Sequence, residues 1–186
     1  MESKQILSEM EHKMDHSMET LRKELAGIRT NKASSALLDN IRVEAYGSAV
    51  PLNQIATVSV PDARTIHIQP WDKQMIPAID RAIQKSDLGL TTRSDGSTIQ
   101  VPVPPLTEDR RKDFVKLIRK LGEEIKVSVR NVRRDAIDRV KKIEKEGAVS
   151  EDESKRHQKS IQDMTDRHIH DVDQVIQRKE IEMMEL

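Results

Sequence analysis

The chain has 186 residues, of which 34% are charged, 35% are hydrophobic and only three are aromatic, Tyr46, Trp71 and Phe114. That composition excludes a thick globular core and suits long helices packed through Leu, Ile, Val and Met. The formal net charge is zero but uneven: residues 107–146 hold 14 Lys and Arg against 9 Asp and Glu, and residues 150–186 hold 6 against 10, so cations are concentrated on one segment.

The first element is helical. Leu7, Met10, Met14, Met18, Leu21, Leu25 and Ile28 step by three and four, a narrow heptad-like seam. From about Thr30 to Pro105 the pattern changes, and all seven prolines fall there. Ile41 to Tyr46 alternates with period two before Gly47-Ser48. Ala56, Val58 and Val60 share one strand face, and Ile66 and Ile68 another. A short helix near Met75–Lys85 offers Ile76, Ile79, Ala82 and Ile83 as its buried side, with Gly89 as a stop. Ser94-Asp95-Gly96-Ser97 reads as a hairpin turn. Val101-Pro102-Val103-Pro104-Pro105 is an extended, stiff connector, because each proline fixes φ.

A second long helix spans Thr107–Glu146 with one glycine, Gly122, and no proline. Phe114, Ile118, Leu121, Ile125, Val132, Ala136 and Ile143 form its apolar stripe. Lys112, Lys116, Arg119, Lys126, Arg130, Arg133 and Lys141 form a basic stripe about 130° away, on a rod roughly 60 Å long. Val132 faces the bundle, with Arg130 and Arg133 pointing outward. The third long helix opens at the capping box Ser150-Glu151-Asp152-Glu153 and runs through Ile161, Met164, His168, Val172 and Val175 towards Met183. The short turn at 146–149 makes the second and third long helices an antiparallel hairpin. The predicted organisation is a three-helix bundle, 1–29 and 106–186, interrupted by a small α/β insert, 30–105.

The basic stripe has two readings. One is a solvated helix face, with Asp135 and Asp138 absorbing charge through pairs such as Asp135–Arg139. The other is a row of cations that contacts nucleic-acid phosphates by charge and shape. Its length, register and excess of cations favour the second. His12 and His16 are spaced i,i+4 but lack the His-Glu-x-x-His pattern and a third ligand, so no metal site is assigned. Trp71 reads as a packing residue, with Asp72 as a helix N-cap. The absence of cysteine excludes disulfides, thiolate catalysis and Cys-based zinc sites. There is no Gly-rich phosphate loop, Gly-x-Ser-x-Gly or dinucleotide fingerprint, which favours a binding or mechanical role over an enzyme, with no cofactor. The N-terminus carries neither a signal core nor an Arg-rich transit segment, and no window approaches the roughly 20 apolar residues of a membrane span. The reading is a cytoplasmic protein without a membrane partner. A coiled-coil adaptor that binds other helices through its apolar seams is the competing class.

Several stretches in register resemble one family: Pro51-Leu52-Asn53-Gln54, Pro70-Trp71-Asp72, Ser86-Asp87-Leu88-Gly89-Leu90, Pro104-Pro105-Leu106-Thr107-Glu108-Asp109-Arg110-Arg111 and Val129-Arg130-Asn131-Val132-Arg133-Arg134-Asp135-Ala136. Together they are similar to the ribosome recycling factor family along essentially the whole chain. The resemblance implies an elongated, L-shaped, tRNA-like α+β protein: a three-helix bundle carrying an inserted α/β domain on a two-strand hinge. It implies a monomer that binds the 50S subunit and 23S rRNA in the 70S post-termination complex. With elongation factor G, which hydrolyses GTP, such a factor splits the ribosome while catalysing nothing itself. Carried onto this sequence, the rRNA-contacting residues are Arg29, Lys32, Arg110, Arg111, Arg130 and Arg133. Arg119 and Lys126 of the basic stripe join them. The hinge comprises Arg29, Thr30, Asn31 and Lys32 on one strand and Pro104 and Pro105 on the other. Asn31 and Lys32 stand where the family has glycine and arginine, and Ala45-Tyr46-Gly47 stands where two tyrosines commonly precede the glycine.

Overall fold

The computed structural model describes residues 2–185, and of Glu2 only the backbone. Met1 and Leu186, the outermost residues of the expected bundle, lie outside the described residues. The elements in chain order are helix α1 (Glu2–Ala26), strands β1 (Arg42–Ala45), β2 (Ser48–Pro51), β3 (Ala56–Asp62) and β4 (Thr65–Pro70), helix α2 (Ile76–Lys85), strands β5 (Arg93–Ser94) and β6 (Ile99–Pro102), and helices α3 (Glu108–Lys145) and α4 (Glu151–Met184). The fold class is α+β. The chain divides into two compact units, Met1–Lys23 with Val115–Ile181, and Glu24–Phe114 with Glu182–Leu186. The division drawn from the sequence, at 29/30 and 105/106, falls inside the second unit.

In the first unit each long helix buries a seam. Helix α1 contributes Ile6, Met10, Met14, Met18 and Leu21. Ile6, rather than the half-buried Leu7, begins that seam. Helix α3 contributes Ile118, Gly122, Val129, Ala136, Val140 and Ile143. Only Ile118, Ala136 and Ile143 of its expected stripe are fully buried. The seam is rotated by roughly 40° on the helical wheel towards the basic stripe. Gly122 explains the rotation: a Cβ there would lie 2.8 Å from Ile176 Cγ1 of α4, so α4 approaches along the side of α3 that has no side chain. Ser17 and Ser128, whose hydroxyl oxygens are 3.2 Å apart, are small residues at the α1–α3 contact. Helix α4 adds Ile161, Thr165, His168 and Val172. Its capping box forms: Ser150 N–H donates to Glu153 Oε2 at 3.0 Å and Glu153 N–H donates to Ser150 Oγ at 3.3 Å. Before it, Gly147 takes φ +73°, where a Cβ would be strained.

The second unit holds two antiparallel sheets. One pairs β1 with β2, and the other has strand order β3-β4-β6-β5. Strand β2 was not anticipated, because Ser48–Pro51 is short, ends in proline and shows no alternation. Its partner β1 alternates as expected, burying Val43 and Ala45. Ile66 and Ile68 of β4, Ile99 and Val101 of β6, and Ile79 and Ile83 of α2 share one core, each such buried side chain contributing about 1.5–3 kcal/mol. Val60 breaks the expected face of β3 and is exposed, within the register shift between Ser59 and Asp62. The hairpin turn forms as predicted: Asp95 Oδ1 accepts from Ser97 N and Thr98 N at 2.9 and 2.7 Å. Asp72 caps as expected, accepting from Gln74 N at 2.9 Å. Trp71 departs from expectation: it is no packing residue and is 67% exposed.

Candidate nucleic-acid interface

The basic face of α3 is sorted by what lies opposite each cation. Arg119 reaches α4, where Nε and Nη2 donate to the two carboxylate oxygens of Glu180 at 2.6 and 3.3 Å, and this paired bond raises its pKa. Lys126 is largely covered and bonds to Asp173 of α4 and Glu123. The Asp173 bond, ahead of the others, raises its pKa. Both charges are therefore matched within the unit.

Arg133 does not point outward as the sequence suggested. It is half-buried, its Nη1 donates to Gln162 Oε1 at 3.2 Å, and its buried Nε has no partner. The rotation of the α3 seam is the cause, since it brings this edge of the basic stripe against α4. Arg130 is exposed and, among the described residues, has no acidic partner. The same holds for Lys116, Arg134 and Lys141. These four free cations lie within about 40° of one another on the wheel, over roughly 37 Å of helix. Lys116 and Lys141 were read in the stripe, whereas Arg134 was missed as a stripe residue although its wheel position equals that of Lys116. The alternative in which Asp135 absorbs charge from Arg139 fails. Asp135 pairs with Lys13 at 3.7 Å and Arg139 with Glu9 at 2.7 Å, both across to α1.

The remaining predicted residues lie in the second unit. Arg29 Nη2 donates to Pro104 O at 2.6 Å and Nη1 to Leu88 O at 3.5 Å, while its Nε is buried without a partner. Burial, and then the charge of Arg110, pulls its pKa down; an arginine remains charged throughout the physiological range. Arg110 is exposed. Arg111 is half-buried, with an unpaired buried Nε, and lines a cavity of about 300 Å³ with Asn31, Lys32, Arg64 and Leu106. Lys32 is 3.5 Å from the Glu185 carboxylate. The Asn31 amide bridges three segments: Oδ1 accepts from Leu106 N at 2.9 Å and Nδ2 donates to Glu185 O at 2.6 Å. The two connectors expected to form a hinge are thus tied to each other through Arg29–Pro104 and Asn31–Leu106. Among the described residues no helix is long and apolar enough to cross a membrane.

A model of the ribosome recycling factor family matches residues 21–184. The chain belongs to the ribosome recycling factor family. The factor of Symbiobacterium thermophilum is 52% identical over 184 residues, covering 99% of this chain and 100% of that protein. The factor of Chloroflexus aurantiacus is 54% identical over 179 residues, covering 96% and 97%. Among solved structures, a solution structure of the ribosome recycling factor matches with TM-score 0.80 and 42% identity, over 100% of this chain and 99% of that one. A second match, with TM-score 0.69 and 46% identity over both full chains, comes from models for the T. thermophilus ribosome recycling factor and the E. coli elongation factor G bound to the E. coli post-termination complex. Identity at this level over the full length extends the family's α+β fold to both units.

Proposed function

We propose that this chain is a ribosome recycling factor that binds the post-termination 70S ribosome and, with elongation factor G and GTP, separates the subunits so that mRNA and deacylated tRNA leave. The observation that carries the RNA contact is the row of free cations on α3: Lys116, Arg130, Arg134 and Lys141. Unpaired cations in register along a rigid rod meet phosphates spaced along a backbone. Arg133, oriented by Gln162, presents its fork beside them. Arg110 and Arg111 supply a second cationic set near the start of α3. Arg119 and Lys126 serve the contact less, because α4 already matches their charge, and Arg29 acts chiefly as a clamp on Pro104. Residues 1–29 with 106–186 serve as the rRNA-binding domain and 30–105 as the inserted one, joined at Arg29–Lys32 and Pro104–Pro105. The chain performs no chemical step; GTP hydrolysis belongs to elongation factor G. Its place of action is the cytoplasm, with the ribosome.

Sedimentation of 70S post-termination complexes with this protein, elongation factor G and GTP tests the reading. Wild type converts the 70S peak into free subunits. Arg130→Ala and Arg133→Ala bind 70S more weakly, and each lowers the slope of log affinity against log salt by about one. Persistence of the 70S peak with folded wild type and a matched elongation factor G would refute recycling. Unchanged binding by both folded variants would refute the α3 contact.

A further inference from the structure

Within the second unit, helix α2 and strand β1 flank a groove of about 340 Å³. Ala78, Arg81, Ala82 and Lys85 of α2 line it, and their spacing of i, i+3, i+4 and i+7 places them on one helix face. That face adjoins the one that buries Ile79 and Ile83. The two alanines are what leaves room, since longer side chains at those positions would fill the space in front of β1. From the strand come Arg42 and Glu44, both on its exposed face and roughly 7 Å apart. Arg42, Arg81 and Lys85 are exposed, and none has an acidic partner among the described residues. Arg81 Nε donates to Pro77 O at 3.2 Å, which steadies the guanidinium and leaves its two terminal nitrogens available. Glu44 is exposed and has no basic partner among the described residues. Neither Tyr46 nor Trp71 lines the groove.

Three cations share this recess with a carboxylate, yet none pairs with it, so the groups are spaced for a ligand rather than for one another. The mixture selects the class of ligand. An excess of two positive charges calls for an anion, and guanidinium forks match phosphate oxygens bidentately. Arg81 and Lys85 stand one helical turn apart, roughly 6 Å between their Cβ atoms, and so can meet separate charges along a backbone. A run of acidic protein side chains would offer Glu44 only repulsion. An RNA strand offers it a donor, the ribose 2′-hydroxyl. With no aromatic in the wall there is no platform on which bases stack, so the contact is with phosphate and sugar and carries no sequence preference. In the recycling reading, on which this inference rests, the strand is ribosomal RNA.

We propose that the α2–β1 groove is a second RNA contact, separate from the cation row of α3: Arg42, Arg81 and Lys85 hold phosphates, and Glu44 accepts from a ribose 2′-hydroxyl. Two experiments on the full chain test it. In the first, ribose 2′-hydroxyl acylation maps the rRNA that the protein protects on 70S ribosomes, at saturating protein and without elongation factor G. The triple variant Arg42→Ala/Arg81→Ala/Lys85→Ala loses one cluster of protected nucleotides and keeps the rest, whereas Arg130→Ala keeps that cluster. A triple-variant footprint identical to wild type, or one thinned evenly, overturns the proposal. So does weaker 70S binding with an unchanged footprint, which would mean that the groove meets a protein. In the second, pelleting with 70S is followed against salt. Each single variant lowers the slope of log affinity against log salt by about one, and Lys85→Arg keeps the wild-type slope. These slopes decide alone if circular dichroism shows the triple variant misfolded; unchanged slopes overturn the proposal. Glu44→Ala removes a negative charge, so plain charge attraction would tighten binding, while loss of the ribose acceptor weakens it. Weaker binding is expected, and tighter binding overturns the assignment. A wild type that protects rRNA but cannot split 70S with elongation factor G refutes recycling and leaves the groove result standing; one that protects no rRNA refutes both.

Discussion

Gly122 is the only glycine inside α3, and the structure gives it a reason that can be measured. In an exposed helix, Gly→Ala gains about 1 kcal/mol through lower backbone entropy in the unfolded chain. Here a Cβ would stand 2.8 Å from Ile176 Cγ1 and 3.0 Å from Cδ1. The nearer atom, Cγ1, sits at the branch of a stiff β-branched side chain, so either Ile176 leaves its rotamer or α4 moves away. Overpacking of this kind costs about 1–3 kcal/mol. Gly122→Ala alone therefore lands between roughly neutral and about 2 kcal/mol destabilising, which is too broad to be decisive. The double-mutant cycle is sharper. In an Ile176→Ala background the obstructing atoms are gone, and Gly122→Ala should stabilise by about 1 kcal/mol. The coupling between the two sites is then about 1–3 kcal/mol. Urea unfolding followed by far-ultraviolet circular dichroism reads the helices. Trp71 fluorescence follows the second unit alongside. If Gly122→Ala stabilises the wild-type and Ile176→Ala proteins equally, the close approach of α3 and α4 is not what this glycine provides.

Two further perturbations read the second unit. Asp95 accepts two backbone and two hydroxyl donors from Ser97 and Thr98, with the backbone bonds foremost in holding its carboxyl well below the usual carboxylate range. A depressed carboxylate contributes stability above the unfolded value and loses it only as pH falls through the folded one. Its carboxyl resonance should therefore not shift as pH passes about 3.9, and a midpoint at that value would refute the turn. Asn31→Ala removes the acceptor for Leu106 N and the donor to Glu185 O. The Leu106 amide should then exchange faster by hydrogen-exchange NMR while the amides of β4 and β6 keep their rates; an unchanged Leu106 rate would show that the bridge is not formed.

How much of this was legible in sequence depended on whether one residue's environment was local. The Ser150–Glu153 box and the Asp95 turn were read correctly because their partners lie within three residues. The alternation of β1 and the buried side of α2 followed from periodicity. The phase of the α3 seam did not, because it turns on a glycine, which a search for apolar periodicity skips. Once Gly122 marks the contact, Val129 and Val140 join it and Phe114 and Leu121 fall to its margin. Trp71 was misread for a related reason: in a chain so poor in aromatics a tryptophan invites assignment to the core, yet the core beside it is filled by Leu38, Leu52 and Ala56. The candidate site was legible as a stripe but not as a set of free charges, since pairing across to α4 has no local signature.

That pairing changes what the uneven charge means. Read along the sequence, the excess of cations in 107–146 and of acids in 150–186 suggests a basic surface and an acidic one. In the first unit part of that contrast is spent internally, where Glu180 and Asp173 of α4 hold Arg119 and Lys126 of α3. The cations turned towards α4 fix the helix pair, and those one step further round the wheel stay free. The division of labour follows from seam phase: rotating the buried face towards the basic stripe converts its near edge into packing residues and leaves Lys116, Arg130, Arg134 and Lys141 on a rod whose orientation is already set. Arg133 lies on the edge of the stripe nearest the seam, held by Gln162, with Arg130 one turn before it. In the proposed rRNA contact its guanidinium would be positioned before a phosphate arrives, which lowers the ordering cost that a fully mobile surface arginine would meet on binding.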